Sequence, residues 1–155
     1  MSDLRNVDAT TLHGPKHVEA YLETDGEVGH DWRNGAPTLI LTTTGRKSGE
    51  QRLNALIYGM SGDNPMIVAS RGGTPQHPGW YLNLRENPQV QVQIRGDKFD
   101  ARARDATPEE RPGLWKQMTE IWPAYDNYQE RTDREIPIVI LEPTNLPRRF
   151  SADKR

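Results

Sequence analysis

The sequence predicts a mainly β (α+β) domain, a six-stranded antiparallel barrel with short helices outside it. Three observations carry that expectation. Six short segments rich in β-branched and aliphatic residues are punctuated by glycine, proline and asparagine, as strands closed by turns are. The first three follow one another in hairpin order, and a later pair alternates apolar and polar residues like a hairpin with one wet face. A chain of 155 residues that is 34% hydrophobic supplies one modest core and leaves little for a second domain.

Taken in order, the opening MSDLRNVDATTLHG is polar and unpatterned, and residues 1–14 read as a flexible arm. PKHVEAYLETDG is a short helix with Pro15 in its first turn, Val18, Tyr21 and Leu22 on one face, and a stop near Gly26. PTLILTTT (37–44) reads as the first strand and RLNALIYGM (52–60) as the second, joined by GRKSGEQ. After the turn cluster SGDNP, the run PMIVAS (65–70) is too short for a buried helix and long enough for an interior strand. WYLNLREN fits two helical turns ended by Pro88. QVQVQIRGDKFDARAR then forms the hairpin, with Val90, Val92 and Ile94 sharing a face, a Gly96-Asp97 turn, and Phe99, Ala101 and Ala103 returning.

Thr107, Pro108 and Glu110 make a capping-box start for a helix in which Leu114, Met118, Ile121 and Trp122 recur at helical spacing. The aromatic-rich WPAYDNYQERTDRE connects it to IPIVILEP (136–143), a last buried strand. Residues 15–143 are thus read as the single domain, and 144–155 as a basic tail that frays.

A net charge of -2 sets up no global basic field, which argues against nucleic acid and requires any anion site to arise by local clustering. The absence of cysteine rules out a disulfide framework, a thiolate metal site and a cysteine nucleophile, and fits a cytoplasmic protein. No apolar run is long enough for a transmembrane segment and residues 1–20 lack a secretory core, so at most peripheral membrane contact is expected. His13, His17, His30 and His77 make no H-E-x-x-H and no patterned serine and aspartate partners. Gly14 and Pro15 between His13 and His17 argue against a metal pair, and no metal is expected.

The most informative stretch is LTTTGRKSGEQR (41–52). A plain hairpin needs only its glycines, and a lone basic turn most often serves solubility. Here Gly45 and Gly49 permit positive φ and leave amide hydrogens uncovered, Ser48 adds a hydroxyl, and Arg46, Lys47 and Arg52 can close on one volume. Those are the parts of a phosphate cradle. The order G-x-x-x-x-G-K-[ST] is absent and no G-x-G-x-x-G follows a strand, so Walker and Rossmann readings fall away. In VASRGGTPQHPGWYLNL (68–84), small Ala69 and Ser70 followed by Arg71, Gly72 and Gly73 let a flat ring approach main-chain amides, while Trp80 and Tyr81 add aromatic surface. Trp80 and Leu84 serve equally well as core anchors at helical spacing.

With TTTGRKSG and Arg52, VASRGG...HPGWYLNLRENPQVQVQ, and YDNYQERTDREIPIVILEP in this order and spacing, the chain resembles the deazaflavin (coenzyme F420)-dependent nitroreductase family over residues 37–143. The resemblance implies a split β-barrel of the flavin-reductase/pyridoxamine-oxidase-like type, with coenzyme F420, an 8-hydroxy-5-deazaflavin, as cofactor. It implies that Arg46, Lys47, Ser48 and Arg52 meet the cofactor's phosphate and acidic tail, and that Leu53, Asn54, Ala55, Leu56 and Ile57 pass its ring. It implies further that Val68, Ala69, Ser70 and Arg71 offer backbone and hydroxyl contacts, and that Gly79, Trp80, Tyr81, Leu82 and Asn83 wall the other side. Tyr125 and Tyr128 match tyrosines that face substrate, and with Ser70 they are the catalytic candidates. Ala55 stands where many relatives have proline, and Ile57 and Trp122 stand where nitroreductive members can have tyrosine, so the departures bear on the acceptor.

The activity so implied is hydride transfer from reduced F420 to an apolar electron acceptor: a quinone, a nitroaromatic or an unsaturated carbonyl compound. Such a reaction needs a bound ring with one open face, excluded water and a proton source, and no triad. Tyr125 and Tyr128, three residues apart, each offer a ring and a hydroxyl, with core packing as the plain alternative. On the residues alone, a non-catalytic F420 carrier and an FMN-dependent enzyme on the same barrel both stay open.

Overall fold

The computed structural model describes residues 7–145, so the outer parts of the expected arm and basic tail, residues 1–6 and 146–155, lie outside the described residues. Six strands, β1 (Thr38–Thr44), β2 (Gln51–Ser61), β3 (Asn64–Val68), β4 (Gln89–Ile94), β5 (Asp97–Asp105) and β6 (Ile138–Pro143), close a barrel in the order β1-β2-β3-β6-β5-β4. Every pairing is antiparallel. Helices α1 (Gly14–Thr24), α2 (Gly79–Glu86), α3 (Arg111–Ile121) and α4 (Ala124–Glu130) pack outside. The six-stranded barrel expected from the turn spacing is therefore the observed architecture.

Alternation along the strands sorts the core. Leu39, Leu41, Ile67, Val92, Phe99, Val139 and Leu141 fill the barrel interior. The intervening Met66, Val68, Ile138 and Ile140 point the other way, into a second cluster with Met118, Tyr125 and Ile136 beneath α3 and α4. Strands β3 and β6 are thus buried on both faces, which is why MIV and IVIL read as unbroken apolar runs. Each fully buried large aliphatic side chain contributes about 1.5 to 3 kcal/mol relative to exposure. The two-sided burial makes this side of the barrel a rigid backing for the segments that follow β3 and precede β6.

Three local readings are revised. The segment between α3 and β6 is not merely a polar-aromatic connection, because residues 124–130 form α4. The β4–β5 turn is Arg95-Gly96, since Asp97 already pairs with Ile94. Arg95 takes φ 53, and its N–H donates to the Tyr21 hydroxyl at 2.8 Å. Tyr21 is fully buried and donates to the Thr38 carbonyl at 2.9 Å, tying α1 to the barrel end. The capping box forms, with Thr107 N donating to Glu110 Oε2 at 2.7 Å and Glu110 N to Thr107 Oγ1 at 3.2 Å, but the helix proper begins only at Arg111. Arg104 grips the same carboxylate and, with the Thr107 amide, holds Glu110 down to about 2.

Residues 9–11 form a single 3-10 turn capped by Asp8. The carbonyls of Leu12 and Thr10 accept from Trp32 Nε1 at 2.8 Å and Arg33 Nε at 3.0 Å. This contact orients the loop between α1 and β1.

Candidate active site

The β1–β2 turn is built from restraint as well as charge. Gly45 N donates to the Glu50 carbonyl at 2.7 Å, and Gly49 N to the Gly45 carbonyl at 2.9 Å. Gly49 adopts φ 75, as a left-handed turn position requires. Gly45 does not take a positive φ; it is needed for space, because a Cβ there would lie 2.9 Å from Ser48 Oγ. The amides of Lys47 and Ser48 have no acceptor among the described residues. Arg46 is anchored, its N and Nη1 both donating to Asn83 Oδ1 at 3.1 and 2.8 Å. Asn83 is buried and donates in turn to Thr43 Oγ1 at 3.2 Å. Lys47 and Arg52 remain as the freer cations; the carboxylate of Glu50 is 3.6 Å from Arg52 and more exposed than it.

The loop after β3 is a run of left-handed residues: Arg71 at φ 45, Gly72 at φ 63 and Gly73 at φ 80. Gly73 lies directly on the backbone of Tyr128 in α4, where a Cβ would come within 2.8 Å of the Tyr128 Cα. Helix α4 presents Tyr125 and Tyr128 edge to face, with ring centroids 6.0 Å apart. Trp122 Nε1 donates to the Tyr128 hydroxyl at 3.4 Å, and the Trp122 ring stacks on Trp32 with centroids 5.9 Å apart and planes tilted by 19°.

Tyr125 is 5% exposed, yet its hydroxyl makes no hydrogen bond among the described residues. Because no buried side-chain oxygen among the described residues is left without a partner, that hydroxyl keeps some exposure at its tip. Burial, with Tyr128 beside it, pushes the Tyr125 phenol well above its ordinary value. It is a desolvated donor that stays protonated.

These elements enclose a cavity of about 780 Å³. Of the sequence-predicted residues, Arg46, Lys47, Ser48 and Arg52 line it, with Asn54, Ala55, Leu56 and Ile57 from β2. Val68, Ser70 and Arg71 come from the end of β3 and its loop, Gly79, Trp80 and Asn83 from α2, and Tyr125 and Tyr128 from α4. Four do not line it. Leu53 is 38% exposed on the outer face, and Ala69 is fully buried with its N–H on the Pro137 carbonyl. Tyr81 lies in the barrel core, its hydroxyl on Asp105 and its phenol pushed up to about 12 by burial and that carboxylate. Leu82, on the neighbouring turn of α2, is absent from the lining. Trp122, noted in the sequence only as a departure bearing on the acceptor, joins the wall, and so do Trp32 and Arg33, which the sequence did not single out. Their contacts with α4 and the 3-10 turn are tertiary, and the paired Trp32-Arg33 was the only local signal.

The cavity's charge is one-sided. Arg33, Arg46, Lys47, Arg52 and Arg71 line it and no carboxylate does, although the chain as a whole carries a net -2. A small barrel with a cation-rich, carboxylate-free cleft walled by aromatic rings is the architecture of a protein that binds an anionic, ring-bearing ligand. Comparison makes this particular. Residues 15–143 match the model of the F420H(2)-dependent quinone reductase family, and the chain belongs to that family. It is 40% identical over 128 residues to an F420H(2)-dependent quinone reductase of Mycobacterium tuberculosis, covering 81% of this chain and 86% of that one.

Among solved structures it is similar to an F420-H2 dependent reductase (FDR-A), with 44% identity, a TM-score of 0.63, and coverage of 68% of this chain and 94% of that one. A chain solved as a domain-swapped dimer is 42% identical with a TM-score of 0.65, covering 81% and 93%. A pyridoxamine 5'-phosphate oxidase-like protein from Listeria innocua, 11% identical with a TM-score of 0.51 over 71% of this chain and 86% of that one, shares the fold. The deazaflavin resemblance is thereby upheld, and the family's name specifies quinones rather than nitro compounds.

Proposed function

We propose that this chain binds reduced coenzyme F420 in the 780 Å³ cavity and passes its hydride to a quinone-class acceptor. The chain is an F420H2-dependent reductase of the family named above, and F420 is its cofactor; the acceptor and the residue roles are this reading's own. The single observation that carries them is the cavity's lining: Arg46, Lys47 and Arg52 with no carboxylate beside them in the wall, together with the rings of Trp122, Tyr125 and Tyr128. The cation-rich lining suits a polyanionic tail. The three cations of the β1–β2 turn and the start of β2, Arg46, Lys47 and Arg52, exceed what the one short phosphate of FMN requires.

When bound, reduced F420 supplies the hydride. Lys47, Arg52 and the uncovered Lys47 and Ser48 amides hold the tail, while Arg46, fixed by Asn83, keeps the turn shut against α2. Ala55, Ile57, Val68 and the Ser70–Gly72 backbone form a close wall for a flat ring. Tyr125, Tyr128 and Trp122 would wall the site on the side of α4 and exclude water. The unpaired Tyr125 hydroxyl donates a hydrogen bond to the acceptor oxygen as negative charge develops there. A carrier has no need of a phenol in the cavity wall whose hydroxyl has no protein partner among the described residues, which favours chemistry over storage. Ile57 and Trp122, apolar where tyrosine would be polar, favour a quinone over a nitroaromatic. No helix among the described residues is long and apolar enough to cross a membrane, and with no cysteine a cytoplasmic site of action fits.

The test is a titration with oxidised F420, followed by single-turnover oxidation of F420H2 with a soluble naphthoquinone and with a nitroaromatic. Binding with rapid oxidation by the quinone is expected. Tight binding with no accelerated oxidation would make the chain a carrier, and preference for FMN would overturn the cofactor.

A further inference from the structure

We propose that Arg134, which belongs to none of the cofactor contacts above, is the positioning residue that fixes the ring-facing turn at residues 69–74. Its guanidinium is committed to that one loop. Nη2 donates to the Ser70 carbonyl at 2.6 Å, Nη1 to the Ala69 carbonyl at 3.2 Å, and Nε to the Thr74 carbonyl at 2.9 Å. Nη1 also donates to His77 Nδ1 at 3.1 Å, just beyond the turn. A planar fork with five donors suits such a set of acceptors, whereas an ammonium serves as a point donor.

The turn needs an outside hold. Arg71, Gly72 and Gly73 are successive left-handed residues, and Arg71 is there without glycine's freedom. Within the turn, only the Gly73 N–H to Ser70 carbonyl and Thr74 N–H to Arg71 carbonyl bonds, at 2.9 and 3.2 Å, brace it. The Gly72 carbonyl accepts from Arg131 Nη1 at 3.3 Å, and Gly73 rests on the Tyr128 backbone. Segment 128–134 therefore collects the carbonyls on one side of the turn and leaves Ser70, Arg71 and Gly72 lining the cavity on the other.

No carboxylate pairs with Arg134 among the described residues. Burial and the neighbouring Arg71 both disfavour its charge. A sheltered cation kept beside another cation, with carbonyls as its partners, is placed for those carbonyls rather than for a salt bridge. His77 supports the arrangement: burial first, then Arg134 and Arg85, hold its pKa below the ordinary value, so it remains a neutral acceptor.

The inference rests on the cofactor reading, and the experiment separates the two. Oxidised F420 is titrated into wild type, Arg134→Lys and Arg134→Ala, with folding checked by circular dichroism and thermal melting. Arg134→Lys keeps the charge and loses the fork. It should fold and bind F420 about tenfold more weakly, the scale expected when charge-assisted bonds to one loop are lost. Its salt dependence should match wild type, because Lys47 and Arg52 are untouched. Arg134→Ala should regain part of its affinity in millimolar guanidinium chloride and none in equal sodium chloride. If wild type does not bind F420, the cofactor reading fails and this one with it. If wild type binds and folded Arg134→Lys binds equally well, only the positioning role is overturned. Loss of folding in both variants, or no rescue by guanidinium, would make Arg134 a general structural residue and likewise overturn it.

Discussion

Adjacent glycines provide an internal control for the contact between the cofactor loop and the acceptor helix. Gly72 and Gly73 both take positive φ, at 63 and 80. A Cβ on Gly72 meets nothing within 4 Å, whereas one on Gly73 would run into the carbonyl, Cα and carbonyl carbon of Tyr128. Gly72→Ala therefore incurs the left-handed penalty alone, about 1 to 2 kcal/mol. Gly73→Ala adds an overlap with backbone that no rotamer change relieves, typically another 1 to 3 kcal/mol. For a domain of this size each kcal/mol moves the melting temperature by about 2 to 4 °C, so Gly72→Ala should melt about 4 °C lower and Gly73→Ala about 10 °C lower. For Gly73→Ala the functional readout should separate turnover from cofactor binding. Displacing α4 moves Tyr125 and Tyr128, so Gly73→Ala should lose quinone turnover while its tail cradle still binds F420. Differential scanning fluorimetry and steady-state oxidation of F420H2 read both quantities. Equal melting temperatures for the two variants, with wild-type turnover in Gly73→Ala, would refute the reasoning, because the Tyr128 contact would then carry neither stability nor geometry.

Replacing Lys47 and Arg52 together with alanine should weaken F420 binding by about tenfold or more and flatten its salt dependence, with little effect on stability because Arg52 is more than half exposed; unchanged affinity by titration would sink the cradle assignment. Tyr125→Phe removes a hydroxyl that leaves no protein partner behind, so stability should hold within about 0.5 kcal/mol while turnover drops about tenfold or more and F420 affinity stays put; wild-type turnover in stopped flow would remove Tyr125 from the chemistry. Burial lowers the pKa of His17, whose Nε2 lies 2.8 Å from the Gly29 carbonyl, below 6.5. As pH falls the unfolded chain takes up that proton first, so stability is unaffected well above pH 6.5 and declines from about 6.5 down to the folded value; His77 acts in the same direction. Urea midpoints that stay level or rise between pH 7.5 and 5.5 would contradict this.

What could be read from the sequence was local. Strand spacing, the β4–β5 alternation and the convergence of Arg46, Lys47, Ser48 and Arg52 depend on residues a few positions apart, where period and turn chemistry are informative. Contiguous spans were less reliable guides to the cavity wall. A strand turns successive side chains to opposite faces, so Leu53 faces solvent while Asn54 lines the cavity. On α2, Tyr81 and Leu82 point away while Trp80 and Asn83 point in. Non-local parts were silent. Nothing near Trp32 tells that the 3-10 turn at 9–11 will orient it, and nothing near Arg134 tells that three carbonyls some sixty residues earlier will meet its guanidinium.

The division of labour in the cavity has a thermodynamic consequence. The cradle cations sit on an exposed turn, where attraction to a charged tail acts over distance, weakens with salt and tolerates small misplacement. The ring and acceptor surfaces come from α4 and the end of β3, packed against a double-sided core where small shifts are resisted. On the proposed reading, tail contacts contribute encounter and retention, while discrimination among acceptors falls to Trp122, Tyr125, Tyr128 and Trp32, whose rings pack on one another. Raising ionic strength should therefore raise the Kd for F420 while leaving the ratio of rates for two uncharged quinones unchanged. A salt-dependent ratio would mean that the cations also shape the acceptor face, as Arg33, beside Trp32 at the rim, is the residue placed to do.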